Sequence, residues 1–122
     1  MGNRNYKGLD VWNKSMSLAE NIYRITERLP SEEKFSLTSQ MRRASISIPS
    51  NIAEGSKRGN PKEYRYFVLT SLGSAAELET QLTLAKNLKL IEEDVAIDTL
   101  EKVDEVMKML GGLEKSIHDM IK

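Results

Sequence analysis

Between Ser45 and Arg58 the chain reads Ser-Ile-Ser-Ile-Pro-Ser-Asn-Ile-Ala-Glu-Gly-Ser-Lys-Arg, and a helical pattern runs straight through the proline. A proline inside a helix removes one backbone donor and presses its ring against the carbonyl four residues back, at a cost of about 3 kcal/mol. The apolar spacing nevertheless continues on both sides of Pro49, with Leu37, Met41, Ala44, Ile48 and Ile52 recurring in steps of three and four. Such a run specifies one kinked helix and not two. The carbonyl freed by the proline is that of Ser45, and the hydroxyls of Ser47 or Ser50, or a water, are placed to satisfy it.

The flanking sequence supplies three more helices. Residues 1–9 lack periodicity and read as a flexible lead, with Asp10 placed to cap the helix that follows. In that helix Val11, Leu18, Ile22, Ile25 and Leu29 form one apolar row, and Trp12, Met16, Ala19 and Tyr23 form a second row one residue over. Leu29-Pro30 ends it, because the residue before a proline is pushed out of the helical region. Ser31 to Phe35 make the connection to the proline-bearing helix, read from Ser36 to Ser56 with Gly55 as terminator. Asn60-Pro61-Lys62-Glu63 is a start signal with N-cap, proline at the first helical position and a carboxylate three residues on. The third helix runs to Leu88, and its small residues Ser71, Gly73, Ser74, Ala75 and Ala76 suggest close helix approach. The fourth starts at about Glu92; Gly111-Gly112 would weaken it, but Leu113, Ile117 and Met120 stay in phase, so it is expected to continue to near the chain end with fraying after Gly112. The expectation is an all-α single domain over 1–122: an up-down-up-down antiparallel four-helix bundle with a proline-kinked second helix, about 30 to 42 Å tall.

One face of the second helix does not fit a monomer. Ser39, Ile46, Ser50 and Ala53 lie opposite its core stripe, where charged residues belong, and they are apolar or small. They read as a subunit contact, although isolated apolar residues on a surface are common. Around and beyond this face stand Arg42, Arg43, Lys57, Arg58, Lys62 and Arg65, the candidate phosphate-binding cations. The 18 basic and 18 acidic residues cancel over the whole chain but not within it. Residues 1–66 carry 12 Lys/Arg against 7 Asp/Glu, and residues 67–122 carry 6 against 11. A pI of about 6.6 is low for a dedicated nucleic-acid binder, so a solvated charged face competes with a functional patch. An oligomer would repeat the patch and change that balance.

Catalytic chemistry finds little material. With no cysteine there are no thiolate ligands or nucleophiles, and the single histidine, His118, stands near the chain end. A di-iron or di-manganese bundle needs two Glu-x-x-His motifs, and the chain has none. Neither Gly-x-x-x-x-Gly-Lys nor Gly-x-Gly-x-x-Gly occurs. Glu54, Glu77 and Glu79 are carboxylates of the kind that is more often salt-bridged or solvated than catalytic. No cofactor or metal is expected. No apolar run approaches the roughly 20 residues of a membrane span, which makes a cytoplasmic location the expectation.

Three stretches carry a family likeness: Leu37-Thr38-Ser39-Gln40-Met41-Arg42-Arg43-Ala44, Ser47-Ile48-Pro49-Ser50-Asn51-Ile52-Ala53-Glu54-Gly55, and Glu77-Leu78-Glu79-Thr80-Gln81-Leu82, with Leu9-Asp10-Val11-Trp12 before them and Gly73-Ser74 between. In these the chain resembles the bacterial four-helix-bundle proteins encoded within 23S rRNA intervening sequences. The resemblance covers nearly the whole chain and implies a homopentameric ring without established enzymatic activity. It also implies kinship with the accessory variability protein of diversity-generating retroelements, a basic pentamer that binds nucleic acid and a reverse transcriptase. The partners it implies are therefore further copies of the chain, RNA or DNA, and a reverse transcriptase or other protein. The alternative is a protein-interaction module that binds no nucleic acid.

Overall fold

The computed structural model describes residues 5–121, the side chain of Lys34 aside. Four helices follow one another: α1 (Asp10–Thr26), α2 (Ser39–Ser56), α3 (Pro61–Asn87) and α4 (Glu93–His118). Short connections turn each back along its predecessor, so that α2 packs chiefly on α1 and α3, and α4 packs on α3 and more lightly on α1. This is the expected all-α four-helix bundle. At 27 residues α3 is about 40 Å long by the rise per residue of a helix.

Each helix buries the stripe that its periodicity predicts. Ile22, Met41, Ile48, Ile52, Leu78, Leu82, Val103 and Leu110 are all fully buried in one continuous core. Several hydroxyls buried with that core are returned to helix carbonyls: Ser15 Oγ donates to Trp12 O, Ser45 Oγ to Arg42 O and Thr99 Oγ1 to Val95 O. Buried hydroxyls left unbonded would each cost about 1–3 kcal/mol.

The central helix α2 is a single element through Pro49, which is itself buried. The side chains around the proline do something other than expected. Ser47 Oγ sits 2.8 Å from Ser74 Oγ of α3 and accepts from Asn51 Nδ2, so it is not spent on the Ser45 carbonyl. Asn51 Nδ2 also donates to Ser47 O, and Ser71 Oγ of α3 donates to Ile48 O at 2.8 Å. Two carbonyls just before the proline thus receive side-chain donors, that of Ser47 from Asn51 on the same helix and that of Ile48 from Ser71 of α3, and a hydroxyl–hydroxyl bond between Ser47 and Ser74 also crosses the seam. The close approach foreseen for the small residues of α3 is made by Ser71, Ser74 and Ala75, all buried. Gly73 faces open space and has no part in it.

The ends of the elements show further differences. Residues 1–4 of the expected lead lie outside the described residues, and Tyr6–Gly8 form a 3₁₀ turn capped by Asn5. Leu9, not Asp10, is the N-cap of α1, and Asp10 takes the first helical position, where a carboxylate suits the positive end of the helix. Between α1 and α2 lie a 3₁₀ turn, Ser31–Glu33, and a π-helical turn, Lys34–Thr38, so α2 begins at Ser39. Gly55 does not terminate α2; it lies within the last turn, where a Cβ would meet Phe67 Cβ at 2.7 Å and Tyr64 Cδ1 at 3.1 Å. The glycine that a turn conformation requires is Gly59, at φ +85°. Asn60 caps α3 as foreseen, its Oδ1 accepting from Glu63 N. After α3, Leu90 N donates to Ala85 O and Lys89 N to Lys86 O, with Lys89 at φ 61°: a Schellman closure without its usual glycine. The fourth helix continues through Gly111-Gly112 to His118, held by Ile117, which is buried against the core.

Two glycine substitutions separate these roles. Gly55→Ala should destabilise the fold by about 1–3 kcal/mol, because the atom it meets is near the α3 backbone and not at a flexible tip. Gly73→Ala, in open space within an exposed helix interior, should stabilise by up to about 1 kcal/mol. Urea unfolding followed by circular dichroism measures both, and equal effects would contradict the assignment.

Candidate subunit interface and basic surface

The two apolar rows of α1 part company in the bundle. Val11, Ser15, Leu18 and Ile22 turn inward, whereas Trp12, Met16 and Tyr23 remain at or near the surface on the side of α2. Opposite them α2 presents Ile46, 44% exposed, followed by Pro49, Ser50 and Ala53. Because the α2 side is built of short side chains, an apolar groove of about 560 Å³ stays open between the helices. Tyr6 lies at its edge, its ring edge-on to Trp12 at 5.3 Å. A second depression of about 690 Å³ continues past Tyr23 and Ile46 to Thr38, Ser39 and the 87% exposed Phe35.

Ser39, Ile46, Ser50 and Ala53, the residues opposite the α2 core stripe, all line these two depressions. Sequence reasoning placed the α2 side of the groove and missed the α1 side. The signal for it was the second apolar row of α1, read as core breadth when all four of its residues, Trp12, Met16, Ala19 and Tyr23, line the groove. Phe35 carried no signal at all, since its direction depends on the π-helical turn.

The six candidate cations do not make one cluster. Arg42 and Arg43 stand by the groove, and Lys57 is 14 residues further along the chain, about 21 Å at the helix rise. Arg42 is half-buried: its Nε donates to Thr26 Oγ1 at 2.9 Å, its Nη2 to Tyr23 O at 3.3 Å, and its guanidinium lies over the Tyr23 ring at 4.5 Å. A cation bonded to one carbonyl and one hydroxyl in the last turn of α1 answers the negative end of that helix. Arg58 is paired with Glu54 and Glu63 and stacked on Phe67. Arg65 donates to Glu114 of α4 at 2.7 Å. Among the described residues no carboxylate pairs with Arg43, Lys57 or Lys62. Lys57 Nζ lies 5.8 Å from the Tyr6 ring.

Little here resembles a reaction centre. Among the described residues no three His, Asp or Glu side chains gather as a metal site would require. Glu54 is held by Arg58, and Glu77, Glu79 and His118 are exposed. Among the described residues no helix is long and apolar enough to cross a membrane.

Comparison with known proteins agrees with this architecture. Residues 7–112 match the model of a family described as 23S rRNA-intervening sequence protein. A crystal structure of a protein of unknown function from the S23 ribosomal protein family of Bacteroides thetaiotaomicron superposes with a TM-score of 0.80 at 25% identity. The match covers 86% of this chain and 95% of that one. No curated protein matches the chain.

The contacts of Arg42 set it apart from its neighbour. Arg42→Ala should cost about 1–2 kcal/mol through its lost charge-assisted bonds to the end of α1. Arg43→Ala should fall within about 0.5 kcal/mol of wild type, as surface changes do. Urea midpoints compared at one protein concentration distinguish the two.

Proposed function

The chain belongs to the 23S rRNA-intervening sequence protein family, and from that starting point we propose that it is a cytoplasmic, non-enzymatic scaffold that assembles with copies of itself through the α1–α2 groove. The carrying observation is the groove: Met16, Tyr23 and Ile46 stand 36%, 38% and 44% exposed around a concave apolar surface that no part of the same chain covers among the described residues. Contiguous exposed apolar surface of this kind marks an interaction site in a folded protein. A homopentamer is the assembly that the resemblance of the Ile-Pro-Ser-Asn-Ile-Ala-Glu-Gly run implies, and a ring needs only one repeated contact.

A nucleic-acid role is the second reading. Arg43, Lys57 and Lys62 support it, as the members of the candidate set that are neither neutralised by a carboxylate nor bonded to backbone. A ring would multiply them by the number of copies, and phosphate affinity grows with every cation that displaces a counterion.

Gel filtration with light scattering tests the first reading. At micromolar concentration a pentamer has a mass of about 69 kDa, five times the 13.8 kDa chain. Ile46→Asp and Ala53→Glu should each reduce it to the monomer mass with helicity unchanged, since neither side chain is in the core. A wild-type monomer would sink the proposal. The second reading predicts salt-dependent binding of structured RNA, with Lys57→Glu/Lys62→Glu lowering the slope of log K against log salt by roughly 1.5 or more per chain engaged. Binding that ignores salt, or is absent at low salt, leaves a partner protein as the reading of choice.

A further inference from the structure

Resting on that assembly, we infer that the occupant of the α1–α2 groove is the outward face of α4 from the next copy, so that the contact runs head to tail. A groove that met its own image would be isologous, and its rim argues against that arrangement. Arg24, Arg42 and Arg43 border the two depressions against a single carboxylate, Glu20. Bringing two such rims together places like charges opposite one another, which opposes association.

The complement lies elsewhere on the same chain. On α4 the exposed Ile97 and the half-buried Leu100 and Met109 line a shallow depression of about 630 Å³. It is bordered by Glu79, Glu101, Asp104 and Glu105; Asp104 pairs with Lys108 and Glu105 with Lys14 of α1, so Glu79 and Glu101 carry the unpaired negative charge of the rim. Apolar centre and charged rim thus occur twice on the molecule with opposite sign. The groove belongs to α1 and α2 and the acidic depression to α4 with Glu79 of α3; the two come together along α1, where Arg24 lines one depression with Glu105 and Met109. The acidic balance of residues 67–122 and the basic balance of residues 1–66 are the sequence-level trace of this arrangement. Two complementary patches at different places on one subunit make a heterologous contact, which closes into a ring when the rotation between copies allows. The half-buried apolar residues then meet Met16, Tyr23 and Ile46, and the rims provide register.

Charge exchange on exposed positions tests it, read by light scattering over a dilution series with helicity followed by circular dichroism. Glu79→Lys/Glu101→Lys on the acidic face, and separately Arg24→Glu/Arg43→Glu on the basic rim, should each weaken assembly at least tenfold. All four positions are exposed and outside the core, so the fold should be unaffected. Combining the four changes in one chain swaps the signs on both faces and should restore the wild-type mass. Retention of the full assembly by the acidic-face variant, or a four-fold variant that stays dissociated, overturns the head-to-tail pairing. If Ile46→Asp dissociates the protein while the acidic-face variant does not, the groove stands and this partner for it falls. If Ile46→Asp leaves the assembly intact, the groove itself was wrongly chosen.

Discussion

The close contact of α2 with α3 is the constraint on which the rest of the bundle depends. Pro49 lies buried in the middle of α2, where an intact helix would have kept every backbone donor. The neighbouring carbonyl of Ile48 receives the hydroxyl of Ser71, and the hydroxyls of Ser47 and Ser74 bond to each other across the seam. These links require the two backbones to come near, and the small residues on both sides permit it. At the far end Gly55 lets α2 settle against Tyr64 and Phe67. A helix defect is thus bound to its neighbour by polar contacts that an ordinary leucine-filled seam would not contain. Buried polar groups of this kind also select one register, because sliding α3 along α2 would leave them without partners.

Packing α2 tightly on α3 has a consequence on its other side. Short residues opposite the core stripe, Ser50 and Ala53 among them, leave the groove beside α1 shallowly filled. The second row of α1 is too broad for the core and comes to rest along that groove. The same helix therefore takes part in an interior built of hydroxyls and small side chains and in an exterior built of Ile46 and aromatic rings. Arg42 ties these together, since its guanidinium reaches the end of α1 and lies on Tyr23, one of the groove's walls.

Legibility differed between the core and the surface. The apolar stripe from Leu37 through α2 to Ile52, the start of α3 at Asn60 and the acidic first turn of α4 were all readable, because helical periodicity and capping are local properties. What failed were readings of the part that single glycines play, which depends on what another helix brings near them. Gly55 looked like a terminator and serves packing; Gly73 looked like packing and meets nothing. The passage of α4 through Gly111-Gly112 was readable from the phase of Leu113 and Ile117, but the fraying expected beyond them is prevented by the burial of Ile117. The cations were easy to find in the sequence, but their partners were not. Arg58 and Arg65 are engaged by Glu63 and Glu114, the second of these from another helix.

From the order of its residues alone this chain is committed to four amphipathic helices, to an unbroken helix through Pro49, and to a second-helix face too apolar for open water. Those are consequences of spacing along one strand, which the 3.6-residue turn converts directly into direction. Which cations remain free, which half of the α1 rows becomes wall and which becomes core, and where an acidic apolar face lies relative to a basic one were decided only by tertiary packing. They depend on distances between residues far apart in the chain, and charge and burial act through those distances.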